Sequence, residues 1–255
     1  MRRDEIAAGP ADVERRDEVE RRDEVERRDE IAAGLADVER RIAEACRAAG
    51  RDRGEVTLIA VTKTRPAEDV RILADLGVRD VGENRDQEAA PKAHELAALP
   101  LTWHFVGQLQ TNKARSVAGY ADVVHSVDRL RLAAALSKEA GRLGREIGCL
   151  VQVSLDDDPG RGGALPADVP ALADEIAALG HVWLGGVMAV APLGEDPGKA
   201  FARLREVAQA VQENHPRATM ISAGMSDDLT EAVAHGATHV RIGTALLGRR
   251  KPFVR

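Results

Sequence analysis

The chain has 255 residues, of which 44% are hydrophobic, enough for one barrel-sized domain or two small domains. Its net charge is −6, and no basic stripe with interleaved aromatic residues appears, which argues against a nucleic-acid partner. No apolar run approaches the roughly 20 residues that cross a bilayer, and the charged start does not resemble a signal peptide. The two cysteines, Cys46 and Cys149, suggest no disulfide framework. We therefore predict a cytoplasmic protein without a membrane partner.

The first 30 residues form a charged, low-complexity repeat. RRDEIAAGPADVERR at 2–16 recurs as RRDEIAAGLADVERR at 27–41, with hexads of the RRDEVE type between them. Six residues are not a whole number of helical turns, so the apolar residues of successive hexads do not share a helix face. We expect residues 1–30 to be a solvated extension, helical or disordered, and residues 31–255 to form the functional domain. A role of the extension in recruiting a partner is the alternative.

From Thr57 onward, short β-branched runs alternate with helical stretches rich in Ala, Leu, Glu and Arg. The predicted strands are 57–62, 78–84, 102–107, 121–127, 149–155, 182–190, 218–224 and 238–243. The predicted helices are 66–77, 87–99, a helix from about 112, 129–144, 168–179, 198–213 and 226–236. Apolar strands that each precede a helix indicate a parallel sheet covered by helices. Eight such units in about 250 residues indicate an α/β fold of the (β/α)8 TIM barrel type, with a doubly wound open sheet as the alternative.

Functional groups of such barrels lie at the carboxyl ends of the strands. Those ends carry Lys63, Asn84, His104, Ser126, Ser154, Met188, Ser222 and Arg241. The set offers an amine, neutral polar groups and a guanidinium but no carboxylate pair, so hydrolysis by paired carboxylates and metal chemistry find little support. His235 and His239 are four residues apart, but the pattern passes from helix to strand between them, and we predict no metal site there.

Lys63 is the most informative of these side chains. The chain has six lysines against thirty arginines, and Lys63 follows the apolar run LIAVT at a strand end. Where water is scarce the ammonium form is disfavoured, and the free amine can attack an aldehyde. A lysine that extends from the strand end into solvent is the alternative.

The loops after the seventh and eighth strands suit an anion. In this barrel class they form the usual phosphate site, and here they read AGMSDD at 223–228 and GTALLG at 243–248. Glycines there permit close approach of backbone N–H groups, and hydroxyls stand at helix N-termini. The residues concerned are Gly224, Ser226, Gly243 and Thr244. Helix capping is the alternative reading of the hydroxyls. Asp227 and Asp228 suit a first helical turn, so we expect both to point away from the anion.

Arg241 lies in an apolar strand and needs an acceptor, because a buried unpaired guanidinium is very costly. A structural ion pair and a ring nitrogen of a ligand are both possible acceptors. An amine for an aldehyde, a cradle for a phosphate and a donor for a pyridine nitrogen together describe pyridoxal 5'-phosphate (PLP). His104 either contacts the ligand or is a hydrogen-bonded histidine of the core. The predicted cofactor-binding set is Lys63, Asn84, His104, Met188, Ser222, Gly224, Ser226, Arg241, Gly243 and Thr244.

The chain closely resembles the pyridoxal phosphate homeostasis family, the YggS-like proteins, in AVTKTRP, VGENRDQE, WHFVGQLQTNK, HSVDR, GGVMAV and GMSDDLTEAVAHGATHVRIGTALLG. The resemblance covers roughly residues 35–250. It implies a PLP barrel of fold type III, similar to the N-terminal domain of alanine racemase. It also implies a Schiff base on Lys63 and Arg241 facing the pyridine nitrogen. The remaining implied contacts are Asn84 beside the cofactor and Ser226, Gly243 and Thr244 at the phosphate.

Two positions depart from the family pattern. Arg85 stands where the family often has an aromatic residue after GEN, and Arg161-Gly162-Gly163 replaces a Lys-x-Gly loop. The departure at Arg85 leaves open what flanks the ring of the cofactor.

The resemblance implies a protein without stable catalytic activity, and the residues agree. Arg241 should donate to the pyridine nitrogen without protonating it, which makes the ring a weak electron sink. Racemisation needs acid/base groups on both faces of the substrate carbon, and the only tyrosine, Tyr120, precedes the fourth strand. We therefore expect a monomeric carrier, buffer or regulator of PLP, with PLP-dependent apoenzymes and free amino acids as candidate partners. A PLP-dependent racemase or another weak PLP enzyme is the alternative.

Overall fold

The computed structural model describes the backbone of residues 10–156 and 162–248, and the side chains from Arg22 onward. The strands are β1 (Thr57–Val61), β2 (Asp80–Glu83), β3 (Thr102–Phe105), β4 (Val123–Val127), β5 (Ile147–Gln152), β6 (Val182–Met188), β7 (Met220–Ser222) and β8 (His239–Ile242). The helices are α1 (Pro10–Ala48), α2 (Ala67–Asp75), α3 (Asp86–Glu95), α4 (Ala114–Val117), α5 (Leu130–Leu143), α6 (Val169–Ala177), α7 (Pro197–Asn214), α8 (Leu229–Ala234) and α9 (Thr244–Leu247). Neighbouring strands pair in parallel in chain order, and β8 also pairs with β1. The sheet is therefore closed, which confirms the predicted (β/α)8 barrel and excludes the open sheet.

All eight observed strands are shorter than predicted but occupy the predicted places. β7 has only three residues inside the predicted range 218–224, and β5 begins earlier than predicted, at Ile147. The predicted helix from about Asn112 is a 3-10 turn, Thr111–Lys113, followed by the short α4. The sequence analysis placed Thr244 at a helix N-terminus but gave no bounds for α9, because a four-residue helix is too short to show a period.

The hydrophobic core fills the space between the strands and the helices. It is built mainly from Ala, Val, Leu and Ile, as the scarcity of aromatic residues requires, with Phe105 and Phe201 as the largest fully buried side chains. α5 shows the pattern that holds a helix to the barrel: Leu132 and Leu136 are buried on one face, one turn apart. The helix ends at Gly144, whose φ of 63° is the left-handed conformation that favours glycine.

α1 carries the charged repeat into the barrel wall. It runs unbroken across residue 30, the boundary that the sequence analysis placed between extension and barrel. Side chains 22–26 are exposed, whereas Ile31, Val38 and Ile42 are buried. No helix of the described residues is long and apolar enough to cross a membrane. Three parts of the sequence analysis lie outside the described residues. They are residues 1–9, residues 249–255, and Arg161 in the loop that differs from the family pattern.

Contacts between α1 and the barrel begin inside the repeat. The Arg27 guanidinium donates to both carboxylate oxygens of Asp69, at 2.9 and 2.6 Å, and to the Leu247 carbonyl at 3.2 Å. About two turns further on, Gly34 brings α1 against α9, because a Cβ at Gly34 would lie 2.3 Å from the Leu246 carbonyl oxygen. The expectation that the whole extension is solvated is therefore wrong at Arg27, whose charge is paired with the barrel.

The Gly34 contact predicts the effect of one added methyl group. Gly34→Ala gains helix propensity, at most about 1 kcal/mol, but forces α1 away from the α9 backbone, which typically costs about 1–3 kcal/mol. We expect a net loss of unfolding free energy, measured by urea denaturation. Gly180→Ala, in the bend after α6, is the control for an added methyl group without a close contact, since nothing lies within 4 Å of the added Cβ there. A Gly34→Ala protein as stable as this control would contradict the close packing of α1.

Candidate functional site

A cavity of about 940 Å³ opens at the carboxyl ends of the strands. Its wall combines the residues that follow β1, β2 and β8 with the loop between β7 and α8. Six of the ten predicted site residues line it, namely Lys63, Asn84, Ser226, Arg241, Gly243 and Thr244. Because β8 pairs with β1, residues about 180 positions apart in the chain share this wall.

Lys63 lies just beyond the end of β1, and its side chain is exposed in the cavity mouth. The expectation that water is scarce around this amine is therefore wrong. The next residue, Thr64, has a φ of 63°, which is uncommon for a β-branched residue. Its N–H donates to Glu88 Oε2 at 2.9 Å, so a side chain of α3 holds the turn that presents Lys63.

A buried ion pair supports this turn from below. Glu83 Oε1, at the end of β2, accepts a hydrogen bond from Thr62 Oγ1 at 2.6 Å and from Lys92 Nζ at 2.5 Å. Lys92 Nζ also donates to the Thr62 carbonyl at 2.9 Å. The residues immediately before Lys63 and before Asn84 are thus tied together inside the barrel.

Arg241 is a buried guanidinium in the cavity wall. Nη1 donates to the Ser222 carbonyl at 2.8 Å and to Ser222 Oγ at 2.7 Å, and Nη2 donates to the Ala189 carbonyl at 2.9 Å. Burial lowers its pKa to about 10, against an opposing effect of the Asp228 charge, so the group stays protonated at neutral pH. Among the described residues no carboxylate forms an ion pair with it, so the structural ion pair considered from the sequence is not its partner.

The two predicted anion loops both reach the cavity. Ser226 stands in the loop after β7, whose turn is closed by the Met225 N–H donating to Asp228 Oδ1 at 2.6 Å. Asp228 therefore points into its own loop, as expected. Asp227 lines the cavity, so the expectation that it would point away is not met. Gly243 and Thr244 line the opposite loop at the start of α9.

Four predicted contact residues do not line the cavity. Gly224 has a φ of 92°, and a Cβ there would lie 2.6 Å from the Ala232 Cβ, so glycine is needed for the turn itself. Met188 is buried in a cluster of apolar side chains. His104 and Ser222 are buried and hydrogen-bonded, which is the core reading left open for His104. The rule that functional groups lie at strand ends located these four residues along the chain. It did not predict that their side chains would point away from the cavity.

The sequence analysis missed Arg41 in the cavity wall. Its guanidinium donates to the Ser226 carbonyl, so α1 braces the loop after β7. Arg41 lies in the second copy of the N-terminal repeat and matches Arg16 of the first. Nothing in the repeat pattern distinguishes it from the neighbouring arginines.

The family model for the N-terminal domain of alanine racemase matches residues 35–251. A pyridoxal phosphate homeostasis protein of Mycobacterium leprae (strain TN) is 43% identical over 241 residues, which cover 88% of this chain and 94% of that protein. The chain belongs to the pyridoxal phosphate homeostasis protein family.

Solved structures agree with this family assignment. PipY of Synechococcus elongatus PCC7942, in a structure with PLP bound, is 41% identical with a TM-score of 0.75, covering 86% of this chain and all of that one. Alanine racemase of Corynebacterium glutamicum is 15% identical with a TM-score of 0.63, covering 86% of this chain and 60% of that one. The second likeness shows the fold alone. This pyridoxal phosphate homeostasis family member therefore has the barrel of the racemases.

The Glu83–Lys92 pair predicts a large stability effect in this family member. Lys92→Met leaves the carboxylate of Glu83 buried without its counter-charge, and we expect a loss of about 3–5 kcal/mol in unfolding free energy. Adding Glu83→Gln removes the uncompensated charge and should restore part of that loss. Urea denaturation of the single and double variants measures both effects.

The control is an exposed ion pair. Arg71 and Glu95 lie 2.9 Å apart with both side chains exposed, so Arg71→Met should cost at most about 1 kcal/mol. A Lys92→Met protein as stable as the Arg71→Met protein would show that the buried pair does not support the turn before Lys63.

Proposed function

We propose that this protein binds PLP in the cavity as a Schiff base on Lys63 and acts in intracellular PLP homeostasis as a carrier, buffer or regulator. The observation that carries the proposal is the meeting of three groups in one wall. An exposed lysine amine, a buried guanidinium without a carboxylate and two loops suited to an anion line the same cavity. The relationship to PipY, solved with PLP bound, supports the same ligand.

The wall residues fit the chemical groups of PLP. The Lys63 amine would condense with the aldehyde and release one water molecule. Ser226, Gly243 and Thr244 would hold the phosphate through hydroxyls and backbone N–H groups, and Asn84 would lie beside the ring. When bound, PLP supplies an aldehyde that reacts reversibly with amines and a ring that accepts electrons.

Arg241 would set the electronic state of the ring. Because its pKa of about 10 keeps it protonated near neutral pH, it donates a hydrogen bond and cannot take a proton from the ligand. A pyridine nitrogen that accepts from a guanidinium stays unprotonated, and the ring then withdraws electrons weakly. This favours holding PLP over reacting it.

The acid/base groups of the described cavity wall favour a carrier over an enzyme. Among the described residues that line the cavity there is no tyrosine, histidine or cysteine. Tyr120 is largely buried elsewhere, and burial together with the charges of Asp86 and Glu83 raises the pKa of its phenol above the ordinary value. Asp227 is the one carboxylate of the described wall. A weak racemase, the alternative function, would have to use it.

The test is to find the lysine that carries PLP. The purified full chain is mixed with PLP, its visible absorption is recorded, and borohydride reduction is followed by peptide mass mapping. We expect a visible band and a pyridoxyl group on Lys63, with both lost in Lys63→Ala. Lys138→Ala, an exposed lysine on α5, should leave both unchanged.

A protein that stays colourless and unmodified in excess PLP would contradict the proposal. Amino-acid racemisation measured on the same samples separates carrier from enzyme. Turnover by the parent protein that disappears in both Lys63→Ala and Asp227→Asn would replace the carrier with the racemase.

A further inference from the structure

A line of hydrogen-bonded side chains crosses the barrel interior and ends at the cavity. Asp80 Oδ1 lies 2.9 Å from His104 Nε2, and His104 Nδ1 lies 2.9 Å from His125 Nε2. His125 Nδ1 lies 2.9 Å from Ser222 Oγ, which also accepts from Arg241 Nη1 at 2.7 Å. Five side chains from five different strands thus form one continuous path.

The two ends of this path differ in exposure. Asp80 is the first residue of β2, at the amino-terminal face of the barrel, and its side chain is 26% exposed. The three middle residues, His104, His125 and Ser222, are at most 2% exposed. Arg241 at the other end lines the cavity. The path therefore connects a solvent-facing carboxylate with the site at the opposite face.

For a neutral His104, the chemistry of the end groups sets the direction of every hydrogen bond. A carboxylate only accepts, so His104 must carry its proton on Nε2 and, as a neutral ring, accept at Nδ1. His125 then donates from Nε2 and accepts at Nδ1, where the Ser222 hydroxyl donates. The Ser222 oxygen is left to accept from Arg241, which only donates. In this arrangement every donor meets one acceptor.

His125, in the middle of the path, is held neutral by its surroundings. Burial lowers the pKa of His125 well below its ordinary range, and the charge of the nearby Arg241 lowers it further. The opposite tautomers would turn an unprotonated His104 nitrogen towards the Asp80 carboxylate. They would also make His125 and Arg241 both donate to Ser222 Oγ.

We infer that Asp80, His104, His125 and Ser222 form a polarised hydrogen-bond chain that positions Arg241 and stabilises its buried charge. Aligned hydrogen bonds strengthen one another in a low-dielectric interior, so the carboxylate at the far end makes Ser222 Oγ a better acceptor. Arg241 thereby gains electrostatic support without an adjacent carboxylate, which would compete with a ligand for its N–H groups. The expected effect on PLP binding rests on the proposed function, whereas the hydrogen-bond chain itself does not.

The first test reads the tautomers directly. Nitrogen-15 NMR of the full chain labelled at histidine distinguishes protonated from unprotonated ring nitrogens. Before PLP is added, we expect His104 and His125 to be neutral and protonated on Nε2. A His125 protonated on Nδ1 would overturn the inference, whether or not the protein binds PLP.

The second test interrupts the hydrogen-bond chain at Ser222. Ser222→Ala removes the hydroxyl between His125 and Arg241, so we expect a mixture of His125 tautomers and a PLP dissociation constant raised roughly tenfold, the effect of losing one hydrogen bond to a charged group. Ser222→Thr keeps the hydroxyl and should retain both wild-type properties. Unchanged tautomers and unchanged affinity in Ser222→Ala would overturn the inference.

A control and a milder variant complete the experiment. His239 lies beside the chain, with its ring centroid 6.3 Å from that of His104, but its Nδ1 pairs with Thr238 Oγ1 at 2.8 Å. His239→Gln should change neither readout.

Asp80→Asn keeps a hydrogen-bond acceptor at the partly exposed end but removes the negative charge. It should weaken PLP binding several-fold. This variant keeps the inference testable if the Ser222→Ala protein does not fold. Normal affinity in Asp80→Asn would overturn the electrostatic role of the chain. If the wild-type protein binds no PLP, the proposed function fails. The histidine tautomers then still test the hydrogen-bond chain.

Discussion

The pairing of β8 with β1 is the constraint on which the site depends. Four residue pairs, from Thr57 opposite His239 to Ala60 opposite Ile242, join the two ends of the sheet. Without this closure Lys63 and Arg241 would lie at opposite edges of an open sheet. With it, the amine and the guanidinium share one cavity, and the loops after β7 and β8 complete its wall. The chemistry proposed for the protein is thus a consequence of topology before it is a consequence of any single side chain.

The barrel interior contains a buried ion pair and a buried guanidinium, and their charges are stabilised in different ways. Lys92 and Glu83 compensate one another directly, at 2.5 Å, and stabilise the strand ends that carry the site. Arg241 has no such carboxylate and instead uses neutral oxygens together with the polarised chain through Ser222. The difference matters for the proposed function. A guanidinium committed to a carboxylate would have little to offer a ligand, whereas one held by carbonyls and a hydroxyl can still donate.

The N-terminal helix is part of the site as well as of the fold. Arg41 contacts the loop that carries Ser226, while Arg27 and Gly34 hold α1 against α2 and α9. Both predicted anion loops are therefore backed by one helix. The repeated sequence that looks like a solvated appendage is, over its second copy, a brace behind the cavity. Local composition gives no sign of this role, because the bracing Arg27 and Arg41 each stand next to an exposed arginine, Arg28 and Arg40.

By itself the sequence predicted the barrel, with an open sheet as the alternative, the order of its units, and ten site residues of which six line the cavity. It could do so because a strand followed by a helix is a local pattern, and because strand ends in a closed parallel sheet must meet on one face. Tertiary structure alone decided that Lys63 is exposed, that Arg41 and Asp227 line the wall, and that His104 and Ser222 lie beneath it. Those outcomes depend on where side chains point after the sheet closes and on how α1 docks. Both are set by contacts between residues far apart in the chain, which no local pattern records.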